Sequence, residues 1–132
     1  LKEKADRVDD ALGATQAAMA EGIVPGGGVM LNYVSSLFNS DELSDAGKSV
    51  VYKACSRPIK EILNNGGITD YTLDISRCEM GIDVKSGESV NMVDAGIIDP
   101  TKVVVCCVRN AVSVAGMILT TECAINNMRK ND

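Results

Sequence analysis

The stretch from Pro100 to about Thr121 constrains the fold more than any other part of the chain. Val103, Val104, Val105, Cys106, Cys107, Val108, Ala111, Val112, Val114, Ala115, Met117, Ile118 and Leu119 leave it almost no polar face. A helix that is apolar all round is either the central helix of a bundle or a membrane span. Arg109, Asn110 and Ser113 interrupt the run near its middle, and an arginine at that depth costs roughly 2.5–3.5 kcal/mol on insertion scales. No aromatic belt flanks it. The pattern therefore predicts a buried central helix and no membrane partner. Cys106 and Cys107 should lie inside it and react slowly with thiol reagents.

Composition agrees with a core built around such a helix. The chain has 132 residues, 45% hydrophobic and 23% charged, enough for one domain with its own core. Aromatics make up only 3%, so that core must be aliphatic. The net charge of −5, with no basic cluster beyond Arg129-Lys130, excludes nucleic acid as a partner. The chain has no His, which removes Ser-His-Asp and Cys-His chemistry. Its 5 cysteines form no Cys-x-x-Cys pair and read as reduced thiols of a cytosol-like compartment. No signal peptide opens the chain. Leu1-Lys2-Glu3-Lys4 reads as the interior of a helix without a cap, so a longer parent chain is expected.

Periodicity places the remaining elements. Ala5, Val8, Leu12, Thr15 and Met19 recur every three or four residues and predict an amphipathic helix over 1–21, ended by Gly22. After the Pro25-Gly26-Gly27-Gly28 turn, a second helix is predicted from about Gly28 to Phe38. A polar loop over 39–44 follows, then a third helix from about Asp45 to Cys55. A fourth opens with Ser56 as cap and Pro58 at its first position, and Asn64-Asn65-Gly66-Gly67 stops it. The spacing of Ile68, Tyr71, Ile75 and Cys78 predicts a short fifth helix ended by Gly81, against a competing alternation Tyr71, Leu73, Ile75 that suits a strand. Residues 82–93 read as a small hairpin or irregular turn and Asp94-Ala95-Gly96 as a turn. Asp99-Pro100 reads as the cap and first residue of the last helix. Cys123-Ala124-Ile125 reads as a short edge strand. The fold class is mainly α: a helical bundle with a small β hairpin and a short terminal strand.

Three features could carry chemistry, and each has a plain structural alternative. Gly26-Gly27-Gly28 before a helix could admit a phosphate to the backbone or simply make a tight turn. Asp9 and Asp10 are adjacent on a helix, point in different directions, and could be a solvated face. Asp99 could be no more than an N-cap.

Two longer motifs bind these features together. Asp9-Asp10-Ala11-Leu12, Ala14-Thr15, Ala17-Ala18 and Glu21-Gly22-Ile23-Val24-Pro25-Gly26-Gly27-Gly28-Val29 resemble the segment that follows the apical domain in group I chaperonins of the GroEL type. Asn91-Met92-Val93-Asp94-Ala95-Gly96-Ile97-Ile98-Asp99-Pro100-Thr101-Lys102-Val103 is similar to that family's late nucleotide-site motif, and Ser113-Val114-Ala115-Gly116 and Thr120-Thr121-Glu122-Cys123 continue the match. The resemblance runs from Leu1 to about Ile125.

It implies a hinge helix over 1–22 and the C-terminal half of an equatorial, nucleotide-binding domain over 23–132. Asp10 falls where the family has the aspartate that orients the attacking water, and Gly27 on the glycine turn that contacts the nucleotide. Asp83 and Val84 fall on the segment lining the adenine pocket, although Ile82 stands where the family has Tyr. Asp99 falls on the aspartate near the ribose. The family's phosphate loop and metal-binding aspartate have no counterpart here. By itself the chain is thus expected not to turn over ATP, and its Mg2+ ligand is expected elsewhere in a longer protein. The implied partners are identical subunits in a ring, a co-chaperonin lid and unfolded polypeptide clients. The implied location is the bacterial cytoplasm or, alternatively, a mitochondrial or other organelle matrix. A non-catalytic helical assembly piece is the rival reading.

Overall fold

The computed structural model of the chain describes residues 2–37, 46–74, 76–123 and 125. It is mainly helical, with two small antiparallel strand pairs. Helix α1 runs Lys2–Glu21 and stops where the glycine predicts. Gly22 turns to φ +79°, and its N–H donates to the Ala18 carbonyl at 2.8 Å. A left-handed residue of this kind ends a helix at no side-chain cost.

The chain then enters strand β1, Ile23–Pro25, which the sequence does not announce. It pairs antiparallel with β4, Ile98–Pro100, in the register Ile23 with Pro100, Val24 with Asp99 and Pro25 with Ile98. The Gly26 N–H donates to Ile97 at 2.9 Å and the Thr101 N–H to Gly22 at 3.1 Å, extending the ladder at both ends. This ribbon ties the two ends of the nucleotide-like motifs together across more than seventy residues of chain. It also corrects the reading of Asp99. That residue sits inside a strand, and Pro100 is the N-cap of the last helix with no side-chain capping bond.

Helix α2 spans Val29–Ser36, α3 Ala46–Cys55 and α4 Arg57–Asn65. The loop predicted over 39–44 lies outside the described residues, as does Phe38. Helix α4 begins one residue earlier than predicted, and Ser56 caps nothing with its side chain. Its hydroxyl donates instead to the Lys53 carbonyl at 3.0 Å. Gly66 and Gly67 stop α4 as expected, with Gly67 at φ +76°.

The predicted fifth helix does not form. Among the described residues of 68–79 the backbone is irregular and no helix is present. Tyr71 and Leu73 are half-buried while Thr72 and Asp74 are exposed, so inward and outward residues alternate with period two. Ile68, Tyr71 and Leu73 all pack against the core. Strands β2, Met80–Ile82, and β3, Ser89–Asn91, then form a hairpin whose first arm begins two residues before the predicted 82–93 stretch, in residues assigned to the absent fifth helix.

The core is small: Val29, Ile59, Leu63 and Met92, the last two 1% and 2% exposed. It lies between α2, α4 and the hairpin, with Ile82, Val84, Val90 and Ile97 packed around it.

The last helix, α5, spans Thr101–Thr120 and packs along α1, but it is not buried. Not one of its residues falls in the core. Met117, Ile118 and Leu119 are 59%, 68% and 86% exposed, and Cys106 and Cys107 are exposed as well. The apolar pattern is therefore real but the predicted burial is not, because α1 alone cannot cover a helix that is apolar on every side. By length and composition α5 could also cross a membrane. Cys123 and Ile125 belong to no strand, and Ala124 lies outside the described residues.

Candidate functional site

The Gly26–Gly28 turn is built from two different needs for glycine. A side chain at Gly26 would meet the Ile97 backbone at 3.1 Å, and one at Gly28 would meet the Ile59 nitrogen at 2.8 Å. These two glycines thus serve close packing against the chain itself. Gly27, at φ +63°, would meet only the flexible tip of Met92 at 3.0 Å, and it alone of the three faces a cleft. Helix α2 starts immediately after, with Gly28 as an N-cap that has no side chain to satisfy the first-turn N–H groups. Unsatisfied N–H groups and the helix dipole favour an anion at such a place.

The cleft has a volume of about 240 Å³. Its floor is Val29, Ile59, Ile62, Leu63, Met92 and Ile97, and its far wall is the hairpin turn Ile82, Asp83, Val84 and Lys85. Glycines hold the hairpin down. Val84 packs directly on Gly66, where any side chain would collide with its Cγ1. Gly81 is buried beneath Val29 and Met92, whose side chains would lie 2.5 and 2.7 Å from an added methyl. Asp83 shapes the turn. Its Oδ1 accepts the Lys85 N–H at 2.9 Å, its Oδ2 accepts the Ser86 hydroxyl at 3.4 Å, and its carbonyl accepts the Gly87 N–H at 2.7 Å.

The structure thus brings Gly27, Asp83 and Val84 into one cleft, although they are more than fifty residues apart in sequence. Asp99 does not line it. Side chains alternate along a strand, and the ladder through Gly26 and Ile97 puts Asp99 on the same face of the β1–β4 ribbon as Ile97, which does. Asp99 is half-buried, and no ion pair to it is found among the described residues. Burial pushes its carboxyl above the usual carboxylate range. A carboxylate held partly out of water in this way favours hydrogen-bond donors brought by a ligand.

Asp10 stands apart. It is exposed on α1, twelve residues and so about 18 Å along the helix axis from Gly22. No α1 residue lines the cleft. Among the described residues no three His, Cys, Asp or Glu side chains gather as a metal site.

Sequence reasoning missed Lys85, Ile59 and Leu63, and held Met92 only as a member of the second motif. Lys85 was within reach, since it follows Asp83 and Val84 directly. Ile59 and Leu63 come from α4, which carries no part of either motif. A second cleft of about 380 Å³, lined by residues such as Tyr33, Arg77, Cys78 and Asn91, holds none of the predicted site residues.

An apolar slot smaller than the roughly 300–1,000 Å³ of whole-ligand sites suits a single ring-sized group. The helix N-terminus at one side suits an anion, and the half-buried Asp99 carboxylate on the adjoining ribbon suits hydrogen-bond donors. The sequence profile of the TCP-1/cpn60 chaperonin family matches residues 1–129, which is nearly the whole chain and includes every residue of this site. The chain belongs to the TCP-1/cpn60 chaperonin family.

Proposed function

We propose that this chain supplies one side of the ATP site of a ring chaperonin and the aspartate that orients the attacking water. The observation that carries the reading is the meeting of Gly27, Asp83 and Val84 in one apolar cleft, with Asp99 on the adjoining ribbon face. In this assignment the adenine ring enters the cleft, the ribose lies toward Asp99, and the phosphates lie toward Gly27 and the first turn of α2. The aliphatic walls bind the ring by contact and exclude water. Asp99 accepts hydrogen bonds from ribose hydroxyls, which repays the cost of its partial burial. Asp10 needs no histidine for its part: an ionised carboxylate accepts a hydrogen bond from water and so directs the oxygen lone pair at the γ-phosphorus. Bound Mg2+ would neutralise charge on the phosphates.

Asp10 lies far from the cleft along α1, so α1 must approach the nucleotide by its own position in the assembled subunit. The exposed apolar surface of α5 fits a protein contact, and identical subunits, a lid protein and non-native clients are the partners in this proposal. Five unpaired cysteines favour a reducing compartment, the bacterial cytoplasm or an organelle matrix.

Two measurements test the reading. ADP titrated into the chain should raise its thermal midpoint with saturation, and Gly27→Ala or Asp99→Ala should weaken the effect. No shift with the parent chain at millimolar ADP refutes the cleft. In the assembled chaperonin, Asp10→Ala should retain nucleotide binding and lose hydrolysis by about 10²–10⁴-fold, with Asp9→Ala near the parent rate. Unchanged hydrolysis in Asp10→Ala refutes the role given to that carboxylate.

A further inference from the structure

The chain has a single Asn-Gly pair, Asn65-Gly66, and the fold demands its glycine. A Cβ at Gly66 would collide with Val84 Cγ1, the contact that seats the hairpin turn against α4. Glycine is also the residue that least hinders attack by its own backbone nitrogen on the side chain of a preceding asparagine. The packing of the hairpin thus imposes a chemically labile dipeptide on the end of α4.

Asn65 is exposed, so water reaches its amide. What restrains it is the backbone. Asn65 is the last residue of α4. The Gly66 N–H donates to the Ile62 carbonyl at 3.0 Å, the Gly67 N–H to Asn64 at 3.0 Å and the Ile68 N–H to Leu63 at 2.9 Å. With Gly67 at φ +76°, the last two bonds make the doubly bonded left-handed ending of a helix. Ile68 anchors it by packing against the cluster that contains Leu63. While this turn is closed, the Gly66 nitrogen keeps its proton on Ile62, and a helical backbone at Asn65 does not let a five-membered ring close between that nitrogen and the side-chain carbonyl.

We propose that Asn65 is a site of spontaneous deamidation gated by opening of the last turn of α4, and that its isoaspartyl product lifts Gly66 away from Val84 and loosens the hairpin. When the turn opens, the Gly66 nitrogen loses its proton to water and attacks Asn65 Cγ. The new N–C bond closes a succinimide, and the side-chain nitrogen leaves as ammonia. Water then adds to one of the two imide carbonyls, and the C–N bond at that carbonyl breaks. Opening at the side-chain carbonyl gives aspartate. Opening at the backbone carbonyl gives isoaspartate, whose main chain runs on through Cβ and Cγ. Water is the only co-reactant. Isoaspartate adds one carbon to the main chain between the Asn65 Cα and the Gly66 nitrogen, so the bonds to Ile62 and Asn64 and the seat under Val84 cannot all be kept. Either product also places a negative charge at a helix C-terminus, where the dipole disfavours it.

The test is incubation of the chain at neutral pH, with conversion at Asn65 followed by peptide mass mapping and by labelling with an isoaspartyl methyltransferase. In the urea-unfolded chain Asn65 should convert faster than any other asparagine. In the folded chain it should convert at least about tenfold more slowly, since only the open turn reacts. Gly67→Ala strains the left-handed residue, and nothing lies close to the added Cβ. It should accelerate conversion in the folded chain by about fivefold or more. Urea below the unfolding transition should accelerate the parent too, which keeps the gate testable if the variant fails to fold. The isoaspartyl chain should melt below Asn65→Asp, which carries the charge without the extra carbon. Repair by the methyltransferase should bring the midpoint back to that of Asn65→Asp.

Equal rates in the folded and unfolded chains overturn the gate, as does a folded-state rate that neither Gly67→Ala nor low urea changes. Absence of conversion in the unfolded chain overturns the site itself. An isoaspartyl chain as stable as Asn65→Asp overturns the consequence for the hairpin.

Discussion

The α4–hairpin half and the α1–α5 pair use similar residues to opposite ends. In the first, short elements bring Val29, Ile59, Leu63 and Met92 together until they are at most 4% exposed. In the second, two helices of 20 residues each lie together without burying a single residue. Val8, Leu12 and Met19 on α1 and the apolar sides of α5 remain in water. The total accessible surface, 10114 Å², compares with roughly 6,700 Å² for a compact monomer of this mass. Apolar patterning says that a face should be covered. It does not say that the cover comes from the same stretch of chain.

The contrast can be broken in several ways, and the largest effect is association. Surface of this extent drives self-association, so the chain should sediment as dimers or larger species at micromolar concentration, a free energy of about 8 kcal/mol. A sharp monomer boundary would show that α5 is covered in solution by some rearrangement within the chain.

Next in size is truncation of matched leucines. Leu63→Ala should cost roughly 2–5 kcal/mol, and Leu119→Ala no more than about 0.5 kcal/mol in the dissociated chain, as read by urea unfolding at low protein concentration. Comparable losses at the two positions would erase the distinction.

Thiol chemistry comes third and reverses the expectation drawn from the apolar run. Cys106 and Cys107 are exposed and should label rapidly without denaturant. Cys55, whose thiol burial pushes up, should label at least about tenfold more slowly at pH 7. Equal rates would contradict the burial difference.

The smallest effect is at Asp99, on the seam between the two regions. Its folded pKa is raised by burial, so the folded state holds this proton more tightly than the unfolded state. That contribution is complete below the unfolded value of about 3.9 and is lost as pH rises through the folded value. Asp99→Asn should accordingly stabilise the chain at pH 7, by roughly a few tenths of a kcal/mol given its partial exposure, and make no difference near pH 3. Destabilisation at pH 7 would mean that the carboxylate has a partner in solution.

Much of this architecture was legible residue by residue. Gly22 and the Gly66-Gly67 pair end their helices where local geometry demands a residue without Cβ, and the 80–91 hairpin follows from its own turn. The errors share a cause. Ile68, Tyr71 and Cys78 have helical spacing, yet no helix forms there, and Tyr71 and Leu73, two residues apart, both pack against the core. Asp99-Pro100 has the chemistry of a helix start, but pairing with Val24 claims it for a strand. The cleft was legible in part. Gly27, Asp83 and Val84 emerge from motif resemblance, as does Asp99 on the adjoining ribbon, whereas Lys85 and the α4 side chains enter through contacts between distant segments.

The sequence by itself determined where α1 and α4 stop, which turns need glycine, and that the core is aliphatic, because these depend on neighbours within a few residues. Only the tertiary structure decided that β1 and β4 pair, that residues 68–74 form no helix, that Gly27 and Val84 share a cleft, and that α5 lies on the outside. Each of these is a competition between distant segments for the same contacts, and its outcome depends on the total surface that each alternative buries.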